Sequence, residues 1–294
     1  MAMTDGELRG GLLFKNRELK SNRMKSYPTI RDLSELLFAN DWEWERPAKD
    51  LCDRRLGMCK DWWIGISPDG RKWLVKMRGS ARAYREHAFA SLAQLIVISC
   101  QSSAFLKIPD NAPPLLEASG VEPFQLALCF LDEHDNDCPD PGCPFKKLRD
   151  VDFGSKLGLA GYLNSGIAFA EDYVRGEALG FLCGQFEPPG RLFTKTHELV
   201  QIDNEAMFNS GPVDLMKKCD WWRLNEGRRL CLEVCERISF LPDEKLLAVA
   251  DFPREYKVAR NSSIKRKLLA AKRSASKILR FGHFEKAEQM PKLL

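Results

Sequence analysis

The stretch RLFTKTHELVQIDNEAMF, residues 191–208, carries a short apolar run, Leu199-Val200-Gln201-Ile202, straight into Asp203-Asn204-Glu205. Apolar residues resume at once with Ala206, Met207 and Phe208. Burying a carboxylate is costly unless it is paired or bound to a metal. Two readings follow: a metal-holding acid at the end of a strand, or an exposed turn between strand and helix. The remainder of the chain has to decide between them.

The bulk properties set the frame. At 294 residues the chain is long enough for one large domain or two lobes with a substantial core. Its 44% hydrophobic and 29% charged content is that of an ordinary globular protein, and a net charge of +4 is too mild to imply nucleic acid by itself. Its 10 cysteines are scattered, mostly inside apolar runs, which fits reduced thiols better than a disulfide scaffold. The start, MAMTDGELRGGLLF, has early acids and no long apolar core, and no apolar run is long enough to span a bilayer. These features point to a cytoplasmic protein.

Local patterning gives an α+β chain. Residues 1–27 are polar, basic and weakly periodic, which suggests a loosely packed start. TIRDLSELLFANDWEW, residues 29–44, places Ile30, Leu33, Leu36 and Leu37 at helical spacing after Thr29 and predicts a short helix. WWIGISPDGRKWLVKM, residues 62–77, reads as two β-rich runs joined by Pro68-Asp69-Gly70, a hairpin. SARAYREHAFASLAQLIVIS, residues 80–99, reads as a helix with Tyr84, Ala88, Leu92 and Leu95 on one stripe, widened by Phe89. PDNAPPLL is a proline-broken loop, and EPFQLALCFL, residues 122–131, is an apolar strand. The acidic, proline-rich DEHDNDCPDPGCP that follows marks a lobe boundary. Beyond it the pattern is mainly helical: 150–164, 169–183, and two or three helices after Pro212. The Trp62-Trp63 and Trp221-Trp222 pairs read as core and packing residues.

The order of these parts resembles a kinase-like phosphotransferase: a β-hairpin ending in a lysine, a helix with a glutamate, an apolar strand, a loop, helices, then a strand ending in Asp. Lys76 of WLVKM would hold a nucleotide's phosphates, and Glu86 of AYREHAF would pair with it. Two such charges about 4 Å apart attract by roughly 4 kcal/mol at an effective dielectric of about 20. Asp203 would hold Mg²⁺ against the phosphates, since magnesium takes one or two carboxylates and keeps several waters.

On these residues the chain resembles the atypical kinases related to HipA and to the phosphatidylinositol kinases. Their metal-binding acid often stands in an Ile-Asp-X-X-X-X-Phe context, matched by Ile202 to Phe208. The resemblance covers roughly residues 55–210. It implies a bilobal protein-kinase-like fold, with a β-rich nucleotide-binding lobe over 1–130 and a larger helical lobe over 131–294. It also implies ATP and Mg²⁺ as cofactors, a hinge near Cys129 to Glu133, and transfer of phosphate to a protein or small-molecule hydroxyl.

The loop before the strand departs from the family. In GQFEPPGRLF, residues 184–193, Glu187 stands where the catalytic Asp is expected. Gly190 or Arg191 stands where a metal-ligating Asn is expected, and arginine carries only donors. Gln185 is the substitute oxygen donor, and Gly57 in RRLGMCKDWW stands where a glycine-rich loop is expected. The alternative expectation is therefore a catalytically silent kinase-like module that contacts a protein or nucleic-acid partner.

Two further features remain. His134, Cys138 and Cys143 have spacing that would suit Zn²⁺, which needs a fourth ligand, or they are ordinary loop residues. The segment 253–281 is a basic helix with Ile264, Leu268, Ala271, Ala275 and Ile278 on one apolar stripe. Its other faces are candidates for nucleic acid or an acidic partner, although an amphipathic helix packed on the large lobe explains the same pattern.

Overall fold

Apolar, β-branched and aromatic residues on either side of Pro68-Asp69-Gly70 fold back on each other as the sequence demands, and the rest of the sheet is built on that hairpin. The computed structural model describes residues 36–38, 41–45, 62–76, 80–107, 124–129, 160–161, 163, 168–185, 190–193, 199–202, 204, 206–212, 219–251 and 261–281. Its strands are β1 Leu36–Phe38, β2 Glu43–Glu45, β3 Trp62–Ile66, β4 Lys72–Lys76, β5 Ser103–Lys107, β6 Phe124–Cys129, β7 Gly190–Phe193 and β8 Leu199–Ile202. Its α-helices are α1 Ser80–Leu95, α2 Ala168–Leu182, α3 Asn225–Phe240, α4 Asp243–Ala248 and α5 Asn261–Phe281, with a 3₁₀ turn over Asp220–Arg223 before α3.

The hairpin turn closes through backbone bonds. The Gly70 N–H donates to the Ser67 carbonyl at 2.8 Å and the Ser67 N–H to that of Arg71 at 2.9 Å. The Ser67 hydroxyl donates to the Asp69 carboxylate, and this bond holds that acid below its ordinary range. Within a six-stranded sheet of order β1-β5-β6-β4-β3-β2, the β3/β4 ladder puts Ile64 opposite Leu74, and β4/β6 puts Val75 opposite Ala127. Among the described strand pairs only β1 and β5 run parallel. A separate antiparallel pair, β7 and β8, sets Arg191 opposite Gln201.

Residues 36–45 correct the helix expected over 29–44. The chain forms β1, a turn at Asp41, and β2, in which Glu43 and Glu45 are exposed on either side of half-buried Trp44. Three consecutive apolar residues, Leu36 to Phe38, suit a strand as well as a helix. Pairing with β5 and with β3 decides the matter, and Trp42 stacks on Trp73 at 6.1 Å. Sequence reading also missed β5, whose serine-flanked SAFLK lacks alternation because both faces are buried. It missed β7 as well, which it left inside a loop.

α1 packs on β5 and β6 with Tyr84, Ala88, Phe89 and Leu92 fully inside. It stops at Leu95, four residues before the expected end. Val97 takes a left-handed conformation (φ 59°), and the Ile98 N–H reaches back to the Ala93 carbonyl at 2.8 Å. The Arg237 guanidinium on α3 donates to the Ile96 carbonyl at 2.7 Å, placing a cation at the negative end of the helix.

The expected stripe of α5 is buried in full against α3, whose inward face is Leu230, Cys231, Val234, Cys235 and Ile238. Trp63, Trp221 and Trp222 are buried, as expected of packing residues. One hydrophobic cluster runs from Ala83 on α1 through α2 and α3 to Ile278 on α5. The expected lobe division after residue 130 lies outside the described residues. No helix among the described residues is long and apolar enough to cross a membrane.

Candidate functional site

The apolar run Leu199–Ile202 is strand β8, and its first three residues are buried: Leu199 is 1% exposed, Val200 and Gln201 0%. It lies against two elements. Gly176 of α2 has no side chain because a Cβ there would overlap the Gln201 carboxamide, so the strand crosses close to the helix. On its other side the Gln201 N–H donates to the Ser99 carbonyl at 3.1 Å, and the Gln101 N–H donates to the Gln201 carbonyl at 2.9 Å. β8 is thereby tied to the connection that leads from α1 into β5.

Asp203 itself lies outside the described residues, but both of its neighbours are described. Ile202 ends β8. Asn204 is 1% exposed and donates its amide N–H to the Cys100 sulfur at 3.5 Å. Burial pushes the Cys100 thiol well up, the charge of Glu86 adds to that rise, and bonds from the Gln101 backbone and Asn204 oppose it. Glu86, on the inward side of α1, is 3% exposed. The helix carboxylate, Cys100 and the residue after Asp203 thus share one buried region. The Asn204 side-chain oxygen is also buried there, with no hydrogen-bond partner among the described residues.

The chain downstream of Asp203 is held from three sides. The Met207 N–H donates to the Asn204 carbonyl at 3.1 Å, forming a turn, and the Phe208 N–H donates to the Cys183 carbonyl at 2.8 Å. Phe208 sits at φ 56°. The Ser210 hydroxyl donates to the Gly184 carbonyl at 2.7 Å. Gly184 needs to be glycine: its φ is 79°, and a Cβ there would strike the Ser210 carbonyl. Arg85 of α1 donates to the Asn209 side chain, and Lys267 of α5 donates to the carbonyls of Phe208 and Asn209. Burial lowers the Lys267 pKa, and the nearby charges of Arg85 and Arg266 lower it further.

Of the expected site residues, Lys76 is the last residue of β4, with its backbone opposite Trp62 and Leu126. Glu86 is buried on α1. Gln185 is 4% exposed, with its carboxamide over Gly180 of α2, where the Met207 methyl also packs. Gln185 therefore adjoins the chain that follows Asp203. Gly57, Glu187 and the candidate zinc ligands His134, Cys138 and Cys143 lie outside the described residues. Among the described residues no group of three His, Cys, Asp or Glu side chains could hold a metal ion.

Sequence reading missed Gln201, Cys100 and Asn204 as the residues that join the parts. Asn204 was visible as an amide between two acids, but nothing in a linear pattern brings residue 100 beside residue 201.

No protein-family model matches the chain, and no curated protein does. Among solved structures it is similar to the proinflammatory kinase CtkA of Helicobacter pylori, with a TM-score of 0.53 and 8% identity over 87% of this chain and 100% of that one. It also aligns with the complete CtTel1 dimer, at TM-score 0.33 and 15% identity over 75% of this chain and 11% of that one, a likeness too low to carry an argument. At 8% identity the first match speaks to architecture alone, and it agrees with the small, mainly antiparallel sheet and the helices behind it: the chain has a kinase-like fold.

Proposed function

We propose that the protein is an ATP-dependent phosphotransferase of HipA-like kind, acting on a protein or small-molecule hydroxyl. The nucleotide would lie between the sheet lobe over 1–130 and the helical lobe over 131–294, with the hinge near Cys129 to Glu133 against the adenine. The supporting observation is the buried region shared by Glu86, Cys100 and Asn204. A carboxylate as enclosed as Glu86 requires cationic or donor partners, and Lys76, in the strand layer on which α1 packs, is the cation this reading assigns to it. Lys76 would then hold the phosphates while Glu86 orients it.

The groups around Asp203 suit a hard cation. Asp203, Asn204 and Glu205 offer only oxygen ligands, and the Asn204 oxygen lacks a donor among the described residues. Asp203 would hold Mg²⁺, with Gln185 a second oxygen donor and Gly57 near the phosphates. Bound there, Mg²⁺ neutralises charge on the transferred group. The acceptor hydroxyl oxygen bonds to the γ-phosphorus as the bond to the ADP oxygen breaks, and the hydroxyl proton passes to Glu187. A carboxylate one methylene longer than Asp can accept that proton from a slightly displaced backbone.

A second reading has its own observation. Gly190 and Arg191, where the family has its second metal ligand, are ladder residues of β7 opposite Ile202 and Gln201. A chain without that ligand could keep nucleotide binding and lose transfer, acting as a silent binding module. Incubation with radiolabelled ATP, Mg²⁺ and a cell lysate separates the two. The phosphotransferase reading expects incorporated label from wild type and none from D203A, with E187Q reduced by about 10²-fold or more. Incorporation equal in D203A, or absent from wild type, contradicts it.

A further inference from the structure

The helix α5 has basic residues from Lys265 to Arg280 and no Asp or Glu. It carries more positive charge than the chain's net +4, so the remainder of the protein is net acidic. At 100° per residue, Arg266, Arg273, Lys277 and Arg280 fall within about 60° of one another, along about 21 Å of helix. All are exposed, on the side opposite the buried stripe of Ile264, Leu268, Ala271, Ala275 and Ile278. The flanking cations are already used: Lys265 pairs with Asp251, Lys272 with Asp243, and Lys267 bonds two backbone carbonyls. Arg266, Arg273 and Lys277 have no acidic partner among the described residues.

The surroundings narrow the ligand. An amphipathic helix that lies in a membrane inserts its apolar face, but here that face is committed to α3. Protein interfaces rest on a buried apolar centre, and this face offers mainly charge, with Ser276 exposed and Leu269 and Ala270 only half-buried at its margins. A phosphate backbone is recognised by charge alone. An aromatic also stands close by. The Ser276 hydroxyl meets the Ser239 hydroxyl at 3.1 Å, and the next residue, Phe240, ends α3 with 76% of its surface exposed. A cationic track beside an exposed aromatic is the combination that holds unpaired bases.

We infer that the exposed face of α5, together with Phe240, binds single-stranded nucleic acid through its phosphates, with a base stacked on the phenyl ring. This site is independent of the phosphotransfer reading. The track starts beside Lys267, which holds the chain just downstream of Asp203, so occupancy at one end of α5 lies one residue from that support.

Fluorescence anisotropy with a labelled oligothymidine of roughly 16 nucleotides tests it. Wild type should bind, with a slope of log affinity on log salt near about −2 for the three phosphate contacts of Arg266, Arg273 and Lys277. R273A/K277A should shift that slope by about 1.4 toward zero. F240A should weaken binding at least about fivefold with the slope unchanged. A duplex of the same length should bind more weakly. Each variant should melt at the wild-type temperature, since the altered side chains are exposed. No binding by wild type at about 50 mM salt, variants that bind as wild type does, or tighter binding to the duplex or to phosphatidylserine vesicles would overturn the inference.

Discussion

His87 shows how far burial alone moves a side chain. Its ring lies 4.5 Å from that of Phe105, its Nδ1 is 2.9 Å from the Ser103 hydroxyl, and burial lowers its pKa from 6.5 to about 4. The folded protein therefore keeps His87 neutral over a range in which the unfolded chain takes up a proton. Its contribution is fully present above pH 6.5 and is lost as the pH falls toward 4. Across that window the stability advantage of wild type over H87Q should fall by about 3 kcal/mol, as read from urea unfolding at a series of pH values. Parallel curves for the two proteins would mean that His87 titrates normally in the fold. The next residue in importance, Glu86, was legible in the sequence as a helix acid, but its burial was not. AYREHAF reads as a polar cluster, and only the packing of α1 on β5 and β6 turns its Glu86 and His87 inward. Glu177 escaped notice for the same reason. It is a buried acid on α2 that accepts from the Tyr173 hydroxyl and the Trp221 indole, each at 2.8 Å, and one of those partners lies far away in sequence.

At the scale of elements, periodicity worked where elements were long and failed where they were short. The hairpin, α1, α2 and α5 each repeat their pattern often enough to be read. β1 and β2, three residues each, are too short to show a period, and Leu33, Leu36 and Leu37 imitate a helix. The end of α1 was illegible because Ile96-Val97-Ile98 continues the apolar run. What stops the helix is tertiary: Val97 turned left-handed beneath the Arg237 cap from α3. A β-branched residue pays about 1–2 kcal/mol to adopt that conformation, and glycine adopts it freely. V97G should therefore stabilise the protein by about 1 kcal/mol, as a higher urea midpoint with unchanged slope. A lower midpoint would show that the Val97 side chain contributes packing that its 53% exposure does not suggest. α2 and α3 are joined by Arg175, which pairs with Glu171 at 3.0 Å and reaches Glu233 at 3.3 Å. Glu233 also pairs with Arg237, so the capping residue is itself held by this network.

At the scale of the whole molecule, a sheet and a set of helices meet where β8 touches the connection from α1 to β5. That meeting brings α1, Cys100 and Asn204 together, although more than a hundred residues separate Glu86 from Asn204 in the chain. The order of parts in the sequence indicated a kinase-like arrangement, and the likeness to CtkA agrees at the level of fold. The joining residues were invisible because long-range pairing leaves no local pattern. The central claim is that Lys76, from the sheet, and Asp203, from the end of β8, act on one triphosphate. Calorimetric titration with ATP in the presence and absence of Mg²⁺ tests it most directly. Wild type should bind, K76M should lose about tenfold or more in affinity, and D203A should lose the dependence on Mg²⁺. Wild type that does not bind ATP, or variants whose affinity and metal dependence match wild type, would contradict the claim.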